Sequence, residues 1–87
     1  MSKLIITAGS VTTAVRIKKK LHSAGDIRAS VIHTPAFINS GGCSYSVKTD
    51  YSSLGLVRQL ARENKIKYRK LFAESDTNGG KEYYDIS

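Results

Sequence analysis

Two strand-like segments follow each other in this sequence with no helical segment between them, and this order restricts the possible folds more than any other feature. Residues 27–34 are rich in β-branched side chains, and residues 43–49 alternate between apolar or aromatic and polar side chains. The connection between them contains the only proline, Pro35, and the adjacent glycines Gly41 and Gly42, which indicate a structured loop. We therefore predict a pair of strands joined by a loop.

A strand and a helix precede this pair. Residues 3–7 include three consecutive apolar residues, as expected of a central strand buried on both faces. Ser10 is a favourable N-cap, and apolar residues recur after it at helical spacing. Gly25 suits the position just beyond a helix C-terminus, so the pattern predicts a helix over residues 11–24.

A second helix and a fourth strand follow the pair. Asp50, or the serine pair shortly after it, can cap a helix that extends to about residue 65. Residues 66–72 are predicted to form the fourth strand. Beyond them, Asn78-Gly79-Gly80 is a strong turn signal. Residues 73–87 are therefore expected to form either a short additional hairpin strand or a mobile tail.

The predicted order of elements, β-α-β-β-α-β, is the ferredoxin-like split βαβ arrangement of the α+β class. Right-handed crossovers then give a four-stranded antiparallel sheet in the order 4-1-3-2, with both helices on one face. Residues 1–72 are predicted to form this domain. Residues 73–87 are predicted to be an acidic C-terminal extension.

Composition restricts the compartment and the cofactors. The 87 residues suffice for one domain and contain no apolar run of the roughly 18 residues that a membrane span needs, so no membrane partner is expected. The only cysteine, Cys43, can form neither an internal disulfide nor a zinc site by itself. These features favour a reducing cytoplasm, and they imply no metal and no organic cofactor.

The charge is distributed unevenly along the chain. Residues 1–70 hold 13 Lys or Arg against 3 Asp or Glu, whereas residues 71–87 hold one Lys against 4 Asp or Glu. The basic body would attract anionic partners of any kind, including acidic proteins and nucleic acids. Charge alone does not choose between them.

The predicted topology brings the candidate site residues to one edge of the sheet. Because the third strand runs antiparallel beside the first, its beginning lies near the end of the first strand. Cys43 and His33 should gather there, and we predict that Cys43 is a reactive thiol and that His33 is its proton partner. Groups that could bind an anion at this edge belong to the helix start and to the loop: Gly9, Ser10, Val11, Thr12, Ser40, Gly41, Gly42 and Ser44.

A helix N-terminus near a thiol favours its thiolate form. A free cysteine has a pKa of about 8.5. Helix N-terminal amides stabilise an anion by roughly 0.3–1 kcal/mol, and by up to about 2 kcal/mol when the site is partly buried. We therefore expect the helix start to lower the pKa of Cys43 by on the order of one unit or less. The chain has no second cysteine, which argues against a dithiol oxidoreductase.

Several segments resemble a known family. They are Leu4-Ile5-Ile6-Thr7-Ala8-Gly9-Ser10, Val31-Ile32-His33-Thr34-Pro35, Ser40-Gly41-Gly42-Cys43 and a terminal strand at residues 68–72. Over residues 3–72 the chain resembles the selenium/sulfur carrier-like family, small bacterial proteins with one cysteine after a Ser/Gly loop. Members often have glycine directly after this cysteine, whereas this chain has Ser44.

The resemblance implies a carrier function. Cys43 would accept sulfur or selenium as a persulfide or selenopersulfide from a cysteine desulfurase-like donor and pass it to an acceptor protein. Because the body of the chain is basic, we expect donor and acceptor to present acidic surfaces. On this interpretation the protein is a carrier and not a self-sufficient enzyme.

Two other classes of function stay open at this point. A nucleic-acid-binding module would use aromatic residues on the open sheet face. The predicted open face instead offers Arg28, Ser30, Ser44, Ser46 and Lys48, with no aromatic pair and no RNP1-type signature, so nucleic acid is the less favoured partner. The other alternative is a protein-docking or regulatory module in which Cys43 is a structural residue.

Overall fold

The computed structural model describes residues 2–38 and 45–87. The helices and strands in chain order are β1 (Lys3–Thr7), α1 (Val11–Ser23), β2 (Ser30–His33), β3 (Tyr45–Asp50), α2 (Leu54–Arg62), β4 (Leu71–Thr77) and β5 (Gly80–Asp85). Short 3-10 turns at Ala36–Ile38 and Tyr51–Ser53 follow β2 and β3. The strands form a single sheet in the order β2-β3-β1-β4-β5, and every neighbouring pair is antiparallel.

The α+β class, the antiparallel sheet and the two helices are confirmed, whereas the sheet has five strands and not the predicted four. A fifth strand, β5, pairs with β4 from Phe72↔Asp85 to Thr77↔Gly80. The Asn78-Gly79 turn allows this, because β4 continues to Thr77 and the chain then folds back on it. The other four strands lie in the order β4-β1-β3-β2.

The fourth strand begins five residues later than the predicted residue 66, at Leu71. Ile66 is buried against the core of the helix layer, so its apolar character reflects core packing in an irregular segment. The chain joins the edge of β1 only just before β4: the Arg69 N–H donates to the Thr7 carbonyl at 2.8 Å, and the Lys70 N–H donates to Thr7 Oγ1 at 2.8 Å.

The first helix begins at the predicted residue 11 and ends one residue before the predicted residue 24, because the residues predicted to cap it do so. The Ser10 hydroxyl accepts a hydrogen bond from the Thr13 N–H at 3.2 Å, and Gly25 has a φ of 102° just beyond the C-cap. The second helix is shorter than predicted. A 3-10 turn precedes it, and Asn64, with a φ of 59°, leads the chain away at its C-terminus.

Both helices contribute to one apolar core on one face of the sheet, which we call the helix face. The fully buried members contributed by strands β1, β3 and β4 are Leu4, Ile6, Val47 and Leu71. The helices add Ala14, Ile17, Leu21, Val57 and Leu60. Burial of this apolar surface is the main source of stability for the arrangement.

The other side of the sheet, which we call the polar face, buries Ile5 together with polar and charged side chains. Ser46 is fully buried, and its hydroxyl lies 2.7 Å from that of Thr34. Glu74 is only 4% exposed and pairs with Lys48 at 3.1 Å and with Lys81 at 3.3 Å. Every one of these charged groups therefore has a partner of opposite sign.

The prediction that this face lacks an aromatic pair is wrong. The strand register places Phe72 and Tyr83 on the polar face, beside Ile5 and Glu74 respectively. Phe37, in the turn after β2, places its ring 6.3 Å from that of Tyr83. The later start of β4 and the addition of β5 account for the difference, because both change which side chains this face presents.

Candidate functional site

The end of β1, the end of β2 and the beginning of β3 meet at one edge of the sheet. The Ala8 N–H donates to the Tyr45 carbonyl at 3.1 Å, and His33 is the register partner of Tyr45. The rings of His33 and Tyr45 lie 4.9 Å apart. This edge also carries the start of α1, because Gly9 and Ser10 connect β1 directly to that helix. The structure thus places His33 at the same edge as the helix start.

Several predicted site residues lie outside the described residues: Ser40, Gly41, Gly42, Cys43 and Ser44. The nearest described neighbour on the C-terminal side is Tyr45, the first residue of β3. Tyr45 is partly buried and packs against the core of the helix face. The described part of this site is the edge of the sheet formed by the end of β1, the end of β2 and the beginning of β3.

The start of α1 presents backbone donors at this edge. The hydroxyl of Ser10 is engaged in capping: it accepts from the Thr13 N–H and donates to the Thr13 hydroxyl at 3.1 Å. The N–H groups of Val11 and Thr12 have no acceptor among residues 2–38 and 45–87, as expected for a first helical turn. Val11 is 46% exposed, so this turn is accessible to solvent.

His33 is exposed at the end of β2. Its contact with the Tyr45 ring holds one face of the imidazole, and within the described part of the chain its nitrogens have no hydrogen-bond partner.

Basic residues between α2 and β4 lie next to this edge, and we did not identify them from the sequence as part of the site. The Arg69 side chain lies beside Gly9, since a Cβ atom built on Gly9 would stand 3.8 Å from Arg69 Cδ. Lys67 extends the same surface. The sequence does contain a signal, because four of the residues 65–70 are Lys or Arg. We missed it because we predicted a strand over residues 66–72, whereas residues 65–70 are irregular.

Two adjoining open grooves lie along this basic segment, and we call them the cationic grooves. The first, of about 440 Å³, is lined by Gly9, Thr13, Lys67, Tyr68 and Arg69. The second, of about 350 Å³, is lined by Thr13, Arg16, Ile17, Asn64, Lys65, Ile66 and Lys67. No carboxylate lines either groove among the residues that the structure describes.

Two of the carboxylates, Asp26 and Asp50, lie away from this edge. Asp26 is buried where β2 and β3 face α1, and it accepts a hydrogen bond from the Thr49 hydroxyl at 2.6 Å. Asp50 lies at the end of β3 far from Tyr45, and its hydrogen bonds from Ser52 hold the pKa of the carboxyl below its ordinary value. Asp85, at the end of β5, lies at the same end of the sheet as His33 and Gly9 and pairs with Lys70 at 3.6 Å.

No group of three or more His, Cys, Asp or Glu residues within the described ranges could hold a metal ion. None of the helices in those ranges is long and apolar enough to cross a membrane.

Residues 3–73 match the model of the family described as Putative Se/S carrier protein-like. The chain belongs to this family. The match to the Se/S carrier protein-like family extends from β1 into β4 and includes both His33 and Cys43, whereas β5 lies beyond it. No curated protein and no solved structure compared with the chain matched it.

Proposed function

We propose that this member of the Se/S carrier protein-like family carries sulfur or selenium on Cys43 as a persulfide or selenopersulfide. The observation that supports this proposal is the family match over residues 3–73, a segment that contains the only thiol of the chain. A chain with one thiol can take up a sulfur atom and give it away without forming an internal disulfide.

The proposed loading step is a thiol exchange that needs no oxidant. The Cys43 thiolate attacks the terminal sulfur of a persulfide on a cysteine desulfurase-like donor. The donor's S–S bond breaks, a new S–S bond forms on Cys43, and the donor leaves as a thiolate with the electron pair. Delivery repeats the exchange: an acceptor nucleophile attacks the terminal atom, and the Cys43 thiolate leaves. A selenopersulfide follows the same scheme with selenium as the terminal atom.

The sheet edge offers groups that suit such an anion. Cys43 precedes Tyr45 by two residues, so the covalent chain keeps their Cα atoms within roughly 7 Å of each other. Tyr45 is bonded to Ala8, which lies three residues before Val11. We propose that the Val11 and Thr12 amides, together with the loop residues Ser40, Gly41, Gly42 and Ser44, stabilise the thiolate or the terminal sulfur anion.

His33 is proposed as the proton partner of this site. It lies at the same edge as Tyr45, and its ring is exposed. A protonated imidazole would stabilise the thiolate, and a neutral one would accept its proton. His33→Gln should therefore change the pH dependence of thiol reactivity while leaving the ladder between β2 and β3 intact.

Acidic donor and acceptor proteins are proposed to dock on the cationic grooves. Arg16, Lys65, Lys67 and Arg69 line the grooves and supply positive charge, and Lys65 also pairs with Glu63 at 3.4 Å. One groove reaches Gly9, at the start of the connection to α1, so a partner seated there would approach the edge that carries Tyr45. A reducing compartment such as the cytoplasm would keep Cys43 available as a thiol.

The test is the alkylation rate of Cys43 as a function of pH, read by intact mass, with a parallel incubation with a cysteine desulfurase and cysteine. We expect a midpoint below about 8.5 and a mass gain of one sulfur atom that the Cys43→Ser variant does not show. The matched control combines Cys43→Ser with Ser23→Cys, which moves the thiol to an exposed position at the C-terminal end of α1. That thiol should react with an unshifted or raised midpoint and should not be loaded.

Either of two results would contradict the carrier function. One is a slow Cys43 thiol with an unshifted or raised midpoint and no mass gain. The other is equal loading of the relocated thiol, because the surroundings of Cys43 would then contribute nothing.

The docking surface is tested by charge reversal at low ionic strength. Lys67→Glu should slow loading from the desulfurase at least several-fold, whereas Lys19→Glu should not, because Lys19 is exposed on α1 but lines neither groove. Added salt should reduce the difference between the two variants. Equal effects of the two substitutions would mean that only net charge matters.

Binding of single-stranded nucleic acid is the second candidate, and the aromatic residues of the polar face are the observation that favours it. Phe72 and Tyr83 lie on this face, and Lys48 and Lys81 lie near them. Fluorescence anisotropy with a labelled RNA oligonucleotide decides between the candidates. Binding that weakens steeply with salt and with Tyr83→Ala, but that Cys43→Ser leaves unchanged, would favour this function over the carrier.

A further inference from the structure

The strand β5 forms an open edge of the sheet with a defined set of outward backbone groups. The two-residue turn closes on the pair Thr77↔Gly80, and the Ile86 N–H donates to the Leu71 carbonyl at 2.9 Å in the same register. Because hydrogen-bonded and non-hydrogen-bonded pairs alternate along an antiparallel ladder, residues 80, 82, 84 and 86 face β4. The N–H and C=O groups of Lys81, Tyr83 and Asp85 therefore point away from the sheet.

The charges on this edge are self-complementary. Lys81 and Asp85 lie on either side of Tyr83, and all three side chains are on the polar face. If a second copy pairs antiparallel with Tyr83 opposite its own equivalent, each Lys81 lies directly opposite the Asp85 of the other copy. A shift of this register by two residues would place Tyr83 opposite Lys81 or Asp85 and would lose both charge pairs.

Exposed aromatic side chains accompany this edge. Phe37 is 87% exposed, although its ring packs near that of Tyr83, and Tyr84 is 51% exposed on the helix face. In the paired arrangement, two copies of Tyr83 would adjoin on the polar face, flanked by the two copies of Phe37. Tyr84 would lie opposite Glu82 of the second copy. Exposed aromatic groups beside an unpaired edge are typical of a contact surface.

We propose that two copies of this chain associate through antiparallel pairing of their β5 strands, with Tyr83 on the two-fold axis. Directly opposed hydrogen-bonded residues would each exchange two N–H···O bonds, and the Lys81–Asp85 pairs would fix the register. The edge favours a second copy over an unrelated strand because, in an antiparallel pair of two copies, Lys81 of each copy lies opposite Asp85 of the other. The dimer does not depend on the carrier function, and β5 lies outside the family match.

The test uses sedimentation equilibrium of the full chain carrying Cys43→Ser, so that no intermolecular disulfide can form. We expect a monomer–dimer equilibrium that depends on protein concentration. Asp85→Lys places like charges opposite each other at two points and should weaken association at least tenfold. Adding Lys81→Glu to this variant restores opposite charges and should restore association; because Lys81 also pairs with Glu74, circular dichroism is used to check that both variants keep the native fold. Glu63→Lys, at the end of α2, makes the same change in net charge and should leave association unchanged.

Amide hydrogen exchange checks the register without any substitution on β5. On going from dilute to concentrated protein, the N–H groups of Lys81, Tyr83 and Asp85 should gain about tenfold protection when nine-tenths of the chains are paired. Those of Glu82 and Tyr84 should be protected at both concentrations, because they face β4. This measurement stays decisive if a charge-reversed variant fails to fold.

Three results would each overturn the proposal. The first is a monomer up to near-millimolar concentration. The second is a dimer that Asp85→Lys does not weaken. The third is a dimer in which the three outward amides gain no protection with concentration, which would place the contact elsewhere on the chain.

Discussion

The two faces of the sheet both bury their central residues fully, but one is covered by apolar side chains and the other by polar and charged ones. On the helix face, Ile6 is fully buried among apolar side chains from both helices. On the polar face, its neighbour Ile5 is also fully buried, yet the residues paired with it are Lys48 and Phe72. Hydroxyl groups and ion pairs complete that face.

The difference separates what stabilises the fold from what positions its loops. Apolar contacts on the helix face are non-directional, so they favour burial without specifying one geometry in detail. The contacts on the polar face are directional: Thr34 is bonded to Ser46 at the point where the chain leaves β2, and Glu74 joins β3 to β4 and β5 through Lys48 and Lys81. The polar face thus holds Thr34, the first residue after β2, against β3.

The largest expected effect comes from truncating the two buried isoleucines of β1 separately. Ile6→Ala should lower the free energy of unfolding by about 3–5 kcal/mol, because a rigid apolar core cannot close around the cavity. Ile5→Ala should cost about 2–3 kcal/mol, since nearby long side chains such as Lys48 can shift into the space. Urea denaturation of both variants measures the difference. Equal losses would mean that the two faces are equally rigid, and a larger loss at Ile5 would reverse the comparison.

The same contrast explains which parts of the fold could be predicted from the sequence. The elements that complete the helix face follow apolar periodicity and capping, so β1 and the start of α1 were predicted correctly. The start of β4 was missed, because Ile66 resembles a strand residue but is buried in an irregular segment. The sequence favoured neither a hairpin nor a tail after residue 72, since the pairing that decides between them, β4 with β5, is a tertiary contact.

The candidate site was only partly accessible to sequence analysis. Strand order alone places His33 and the start of α1 at one edge, and the structure has them there. The cationic grooves were missed because they depend on the path of residues 64–70 past Gly9 and α1, which no local pattern specifies. A contact of His22 likewise depends on tertiary structure: its Nε2 lies 2.8 Å from the Ala29 carbonyl and so links α1 to the start of β2.

Glu74→Gln tests the ionic part of the polar face and should have an intermediate effect. Burial alone would raise the pKa of Glu74, but hydrogen bonds from Lys48, Tyr83 and Lys81 outweigh it, so the pKa lies below its ordinary value of 4.5. A lowered folded-state pKa stabilises the protein above pH 4.5, and this contribution is lost as the pH falls through the folded-state value. Glu74→Gln should therefore cost about 1–3 kcal/mol at neutral pH and should flatten the stability profile below pH 4.5.

Asp76→Asn is the matched control for this effect. Asp76 also pairs with Lys81, at 3.2 Å, but its side chain is 69% exposed. Its substitution should change the free energy of unfolding by less than about 1 kcal/mol and should leave the acid limb of the profile in place. If the two variants lose the same stability with the same pH dependence, burial of Glu74 does not distinguish it from a surface carboxylate.

The last comparison concerns the buried hydroxyl pair, for which the informative quantity is the non-additivity of two substitutions. Thr34→Val leaves the fully buried Ser46 hydroxyl without its partner and should cost about 1–3 kcal/mol. Ser46→Ala leaves the Thr34 hydroxyl, which is 7% exposed and can recruit water, and should cost about 1 kcal/mol.

The double variant removes both polar groups and should be more stable than the sum of the two losses predicts, by on the order of 1 kcal/mol. Thermal and urea unfolding of the four proteins in this cycle measure that coupling. Strict additivity would show that the two hydroxyls do not interact in solution. The polar face would then lack the directional contact that we infer to hold Thr34 against β3 at the end of β2.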